Sequence, residues 1–160
     1  MTEDALPTPR PGEVWVVGAA IHDPRGRIFM QRRTASRGLF PDSWDLVGGH
    51  LEPGESIPEA LAREIFEETG WRLSRMVANL GVMDYVGDDE VARREIDFLV
   101  EVEGDLERPI IEAGLHERPI WVNRDEALRL LRPQHPGEAL VREIMERAFA
   151  AIERAGPMAE

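Results

Sequence analysis

At 160 residues with 42% hydrophobic side chains, the chain is long enough for one globular domain with a sizeable core. Its net charge of −12, from 31 acidic against 19 basic residues, argues against general attraction to nucleic acid or to an anionic membrane, so a polyanionic ligand must be met locally. The absence of cysteine excludes disulfides, thiol catalysis and redox sensing, and with neither a membrane-spanning apolar run nor a secretory leader visible, the expected compartment is the cytoplasm.

Residues 1–12, with Pro7, Pro9 and Pro11, read as a mobile tail, and the domain is expected over 13–155, with 156–160 as a second tail. Val14 to Ile21 is an apolar strand candidate, His22 to Gly26 a turn, and Arg27 to Gln31 its hairpin partner. Trp44 to Val47 is a short strand running into Gly48 and Gly49. Pro53-Gly54-Glu55-Ser56 supplies a turn and a helix cap, and a helix is predicted over Ser56 to Thr69, stopped by Gly70. A strand at Met76 to Tyr85, a turn at Gly87 to Asp89 and an alternating strand at Glu95 to Val102 follow. Gly104 to Arg118 reads as loop, Ile120 to Val122 as a short strand, Asp125 to Leu131 as a short helix and Gly137 to Ala155 as a long amphipathic one. This order predicts an α/β fold, a mixed sheet with helices on both sides.

The helix that begins at Ser56 carries the chemistry. Ile57, Ala60, Leu61 and Ile65 form an apolar stripe, yet Glu64 and Glu68 project near the centre of that stripe, with Glu67 beside them. Glu64 with Glu67, and Glu64 with Glu68, are like-charge neighbours, each costing a few tenths of a kcal/mol when exposed and more when desolvated. A cation is needed to hold them. A solvated acidic face with Arg63 paired to Glu67 is the plainer reading, but the carboxylates interrupt the buried face. Oxygen-only ligation suits a hard divalent ion, Mg2+ with Mn2+ as substitute. His22, His50, His116 and His135 are scattered without ligand spacing and read as surface or hydrogen-bonding residues.

As a pattern the segment is Gly49, five residues, Glu55, seven residues, Arg63-Glu64-Ile65, one residue, Glu67-Glu68, one residue, Gly70-Trp71. It resembles the box of the Nudix hydrolases at every fixed position, apart from Trp71 where the family more often has an aliphatic residue. The resemblance implies an α/β/α sandwich with a mixed sheet between helices. It also implies hydrolysis of a phosphoanhydride bond in a nucleoside diphosphate linked to another group, such as a nucleoside triphosphate or ADP-ribose, by water attack at phosphorus. In that family Glu64, Glu67, Glu68 and the Gly49 carbonyl would bind metal, with Arg63 and Glu55 as the brace. A further glutamate, Glu112 or Glu117, would complete the site, Glu112 being preferred by order along the chain. The proton acceptor stays open between Glu64, Glu68 and the loop glutamate.

Arg32 and Arg33 could reach the substrate phosphates. His50 lies inside the box loop, and Phe40, Trp44, Tyr85 and Trp121 are aromatic candidates for stacking a base, Trp44 foremost, although each is more often core. The expected partner is a small-molecule nucleotide, without nucleic acid or membrane; a homodimer is common in the family. Two rival functions remain: an isomerase of the isopentenyl diphosphate type, which normally needs a cysteine absent here, and a nucleotide-sensing domain without turnover.

Overall fold

The computed structural model describes residues 6–156; the outer parts of both expected tails, 1–5 and 157–160, lie outside the described residues. Leu6 packs at the margin of the core.

The elements are β1 (Trp15–Ile21), β2 (Ile28–Arg33), β3 (Trp44–Asp45), β4 (Val47–His50), α1 (Ile57–Thr69), β5 (Arg72–Val86), β6 (Ala92–Glu103), β7 (His116–Val122), α2 (Arg124–Leu130) and α3 (Pro136–Ala155). A four-stranded mixed sheet runs β4-β1-β6-β5, with β1 and β6 parallel, and a three-stranded antiparallel sheet runs β3-β2-β7. Along β6 the alternation sorts side chains to opposite faces. Ile96, Phe98 and Val100 join Ile57, Ala60, Leu61 and Ile65 of α1 in one core, while Leu99 joins Ile144, Met145 and Ala148 of α3 in the other. The expected sandwich is therefore present, α1 on one face and α2 with α3 on the opposite one. Burial of Leu61 and Ile65, both fully enclosed, stabilises the α1 contact by about 1.5–3 kcal/mol each.

Local chemistry sets the ends of α1. The Ser56 side chain accepts from the Glu59 N–H while Glu59 returns a bond to the Ser56 N–H, and Gly70 closes the helix in the left-handed region at φ 77°.

Two pairings differ from the sequence reading. The β1–β2 hairpin does not form: β1 is buried along its whole length with β4 and β6 on its edges, and only a His22–Ile28 bridge joins it to β2. Asp23 draws the turn aside, its carboxylate accepting from the Arg25 and Arg27 N–H groups and from the Arg27 guanidinium, so β2 enters the other sheet. The single strand expected over 44–47 is two strands in different sheets. Leu46, buried between them, is where the chain crosses, its N–H donating to Asp45 Oδ1 at 2.8 Å. The strands β5 and β7 also begin earlier than expected, in polar stretches whose pattern concealed them.

Trp71 and Trp121 both belong to the core. With Phe29 they form an aromatic triad, centroids 5.0–5.6 Å apart, and each indole N–H donates to a backbone carbonyl, of Asp105 and Leu106 respectively. Trp121 is thereby removed from the candidates for base stacking.

Candidate active site

The loop after β4 and the helix α1 are tied together by Arg63. Its Nε donates to Glu55 Oε2 at 2.7 Å and one terminal nitrogen to Glu55 Oε1 at 2.9 Å, a bidentate pair. The same nitrogen donates to the His50 carbonyl at 3.1 Å, and the other reaches Glu64 at 2.9 Å and Glu67 at 3.2 Å. Arg63 thus holds two of the three helix glutamates and the loop glutamate at once, far more than the single pair to Glu67. Glu55 Oε1 also accepts from the Glu52 N–H.

The three helix carboxylates differ in environment. Glu67 is half exposed, Glu64 is largely enclosed and Glu68 is buried. Glu68 accepts from the Gln31 side-chain amide at 2.9 Å and from the Gly48 N–H at 3.1 Å. Burial pushes the Glu64 carboxyl up in spite of Arg63, and burial together with the charge of Glu64 pushes Glu68 well above the usual carboxylate range. The Glu64 carboxylate lies directly over the Gly49 backbone, where any β-carbon would overlap it. Glycine at 49 is therefore a matter of close approach.

Glu112 and His116 stand opposite. His116 Nε2 is 3.6 Å from Glu68, and its Nδ1 is 3.8 Å from Glu112. These three side chains bring ligand atoms within 4.8 Å of one another, a grouping that can hold a metal ion. Of the two outlying glutamates, Glu112 is at the site, whereas Glu117 is exposed on β7 opposite Arg32. His116 is buried, contrary to the surface role expected, and burial with Arg37 and Arg33 nearby lowers its pKa to about 4, so it is a neutral base at pH 7. It escaped notice because it opens β7 inside a stretch that reads as loop.

A cavity of about 200 Å³ adjoins the other side of β4, lined among others by Gly48 and Gly49, by Trp44 and Tyr85, and by the acids Glu95 and Asp97. Arg33 and Arg37 border it. Arg33 is engaged already, donating to the Leu39 carbonyl at 2.7 Å and to Asp45 at 3.3 Å. Arg32 is turned away, bonded to the Asp42 carbonyl and lying 5.9 Å over the Trp44 ring. Arg37, which nothing in the sequence singled out, makes no side-chain ion pair among the described residues. Trp44 is held by its backbone, whose N–H donates to the buried Glu138. His50 accepts from Arg93 Nε at 3.0 Å, and burial followed by the Arg93 charge holds its pKa down.

Residues 13–147 match the NUDIX domain family model. A nucleoside triphosphatase NudI from Enterobacter sp. (strain 638) is 50% identical over 48 residues, 30% of this chain and 34% of that protein, so the match spans about a third of the relative's length. The structure is similar to a NUDIX hydrolase from Nitrosomonas europaea, with a TM-score of 0.70, 26% identity and coverage of 86% of this chain and 89% of that one. It is similar also to a MutT NUDIX hydrolase from Burkholderia pseudomallei, at 0.61 and 30% over 69% and 83%. With the family model spanning most of the chain and the box intact around the Arg63 brace, this protein belongs to the Nudix family.

Proposed function

We propose that residues 13–155 form a cytoplasmic, Mg2+-dependent hydrolase that cleaves a phosphoanhydride bond in a nucleoside diphosphate derivative, with water attacking phosphorus. The observation that carries this is the juxtaposition of two charges and one cavity. Enclosed carboxylates of Glu64 and Glu68 stand on one side of β4, and a cavity of about 200 Å³ opens on the other.

The donor chemistry fits a hard divalent ion: carboxylate oxygens, a backbone carbonyl and at most one neutral imidazole, with Gln31 Oε1 and His116 Nδ1 buried and without protein partners. Glu64, Glu67, Glu68, Glu112 and the Gly49 carbonyl would hold it. A divalent ion there neutralises phosphate oxygens and acidifies water. The chain's own groups do the rest. Arg63 fixes the carboxylates in one orientation, and Glu55 serves the brace through its bidentate pair with Arg63. Glu64, Glu68 or the loop glutamate would accept the proton of the attacking water. Arg37 is placed to meet a phosphate oxygen as a bidentate donor.

Such a site does little for a neutral ester, since its advantage lies in neutralising anionic oxygens. Hydrolysis of a deoxynucleoside triphosphate in 18O-labelled water with Mg2+, followed by mass spectrometry, is expected to place the label on a phosphate-bearing product. Label on carbon, isomerisation of isopentenyl diphosphate without hydrolysis, or nucleotide binding without turnover would overturn the proposal.

A further inference from the structure

The turn that leads into β7 brings an imidazole and a carboxylate to the same place. The His116 N–H donates to the Glu112 carbonyl at 3.0 Å and the Leu115 N–H to the same oxygen at 3.1 Å, so residues 112–116 close one helical turn. A spacing of four on such a turn sets the Glu112 and His116 side chains on one face. His116 Nδ1 lies 3.8 Å from the Glu112 carboxylate, and Nε2 lies 3.6 Å from the carboxylate of Glu68, which α1 delivers. The imidazole is 5% exposed, and its Nδ1 has no hydrogen-bond partner among the described residues. Gln31, fully buried on β2, donates its amide N–H to Glu68 Oε1 at 2.9 Å and leaves its own Oε1 equally without a partner.

Each ring nitrogen therefore faces a carboxylate, and a neutral imidazole has one proton to offer the two of them. Whichever nitrogen carries it, the other points a lone pair at a carboxylate oxygen across 3.6 or 3.8 Å, two acceptors with no donor between them. A metal ion resolves the conflict. It takes the free lone pair and the facing oxygen together, while the protonated nitrogen donates to the other carboxylate and holds the ring in place. Two atoms each about 2.1 Å from one ion lie roughly 3.0–3.4 Å apart at octahedral and tetrahedral angles, so either gap closes with a shift of less than about 1 Å.

We propose that His116 is a nitrogen ligand of a divalent ion, held with Glu68 and Glu112 beside the all-oxygen group of Glu64, Glu67 and the Gly49 carbonyl. Glu68 joins the two groups: its Oε1 faces His116, and its Oε2 accepts from the Gly48 N–H at 3.1 Å, next to Gly49. The assignment rests on the hydrolase reading for what the ion serves, not for the binding itself. An imidazole donor changes which ion is preferred. Mg2+ takes oxygen ligands and keeps several waters, so a nitrogen adds little to its hold, whereas Mn2+, Co2+ and Zn2+ gain from imidazole. The chain should therefore favour such an ion over Mg2+ by more than its carboxylates alone would give, and His116 is the residue that sets the difference.

The test is electron spin-echo spectroscopy of Mn2+ bound to the full chain without nucleotide, which detects nitrogen bonded to the ion and requires no turnover. The wild type should show 14N modulation, and protein carrying 15N-labelled histidine should show the 15N signature in its place, which identifies an imidazole without any substitution. His116→Gln should abolish the modulation and His50→Gln should retain it. In calorimetric titrations His116→Gln should lose at least about tenfold in Mn2+ affinity and less than about twofold in Mg2+ affinity. Absence of histidine modulation in the wild type, modulation that survives in His116→Gln, or its loss in His50→Gln would each overturn the assignment. So would equal weakening of both ions in a variant whose melting temperature is unchanged. The labelled wild-type spectrum stands even if the variant does not fold. Hydrolysis of a triphosphate with Mg2+ by a protein whose Mn2+ shows no nitrogen coupling would sink the ligand assignment alone, whereas nitrogen-coupled Mn2+ in a protein that hydrolyses no triphosphate would sink the hydrolase reading alone.

Discussion

Replacing Arg63 by alanine removes the bidentate pair with Glu55 and the bonds to Glu64, Glu67 and the His50 carbonyl in one step. The magnitude follows from burial: Arg63 is 23% exposed, Glu55 12% and Glu64 13%. A fully exposed pair would contribute about 0–1 kcal/mol, and truncating one partner of a fully buried pair costs about 3–5 kcal/mol, so this intermediate site should lose about 2–3 kcal/mol. For a domain of this size that lowers the melting temperature of the metal-free protein by about 5–10 °C. Mg2+ should recover part of the loss, because the cation takes over the charge that Arg63 no longer supplies. Activity should fall by about two orders of magnitude, as carboxylates freed from their brace lose their placement. Arg63→Lys keeps the charge but cannot form the fork to Glu55 and should recover less than half the stability. Arg72→Ala, at an exposed position just past the box, serves as the control in thermal melts with and without Mg2+ and in steady-state kinetics. If Arg63→Ala melts within about 1 °C of Arg72→Ala and turns over equally, the brace does not exist as described.

Glu67→Gln and Glu68→Gln should each reduce turnover by about two orders of magnitude, and Glu68→Gln should leave the metal-free melting temperature nearly unchanged while abolishing its increase with Mg2+. A retained metal-dependent increase would exclude Glu68 as a ligand. Gly49→Ala should be strongly impaired, because its methyl group overlaps the Glu64 carboxylate, and a crystal structure showing Glu64 unmoved would contradict that geometry. Glu138 gives a pH-dependent test. Burial alone would raise its pKa, but the Arg132 guanidinium and the Arg132 and Trp44 N–H groups outweigh it and hold the carboxyl below its ordinary 4.5. Its stabilising effect is therefore full above about pH 5 and fades as the pH falls through the native pKa. The stability gap between wild type and Glu138→Gln in denaturant titrations, about 2–3 kcal/mol at pH 7, should narrow as the pH is lowered through the acid range. A gap independent of pH would mean that the Glu138 charge has no role.

The box was readable because its information is local: a capping box, a helical stripe and carboxylates whose spacing puts them on that stripe all lie within one short segment. In the structure Glu68 is buried, and Glu112, together with His116, stands beside it. Features made by distant pairing were not readable. Glu95 and Asp97 look like the wet side of an alternating strand, and only the packing of α3 over that face turns them into part of a cavity lining. His116 and Arg37 lie in segments without periodicity, and Arg32 and Arg33, equivalent in sequence, are separated by strand alternation into one outward and one inward side chain. The hairpin between β1 and β2 failed for the same reason: turn chemistry gives a reversal of direction but not the sheet that the returning strand will join.

Across the four-stranded sheet Gly48, Gly18, Asp97 and Gly81 stand in one row of paired residues, which also acts as a ruler. Asp97 and Gly48 are separated by the single intervening strand β1, a distance of about 10 Å fixed by hydrogen-bonded strand spacing, and Gly49 with its overlying Glu64 comes next along β4. Backbone pairing sets that separation, so a side-chain substitution on either strand changes what lines the cavity without bringing the cavity nearer to the carboxylates of α1.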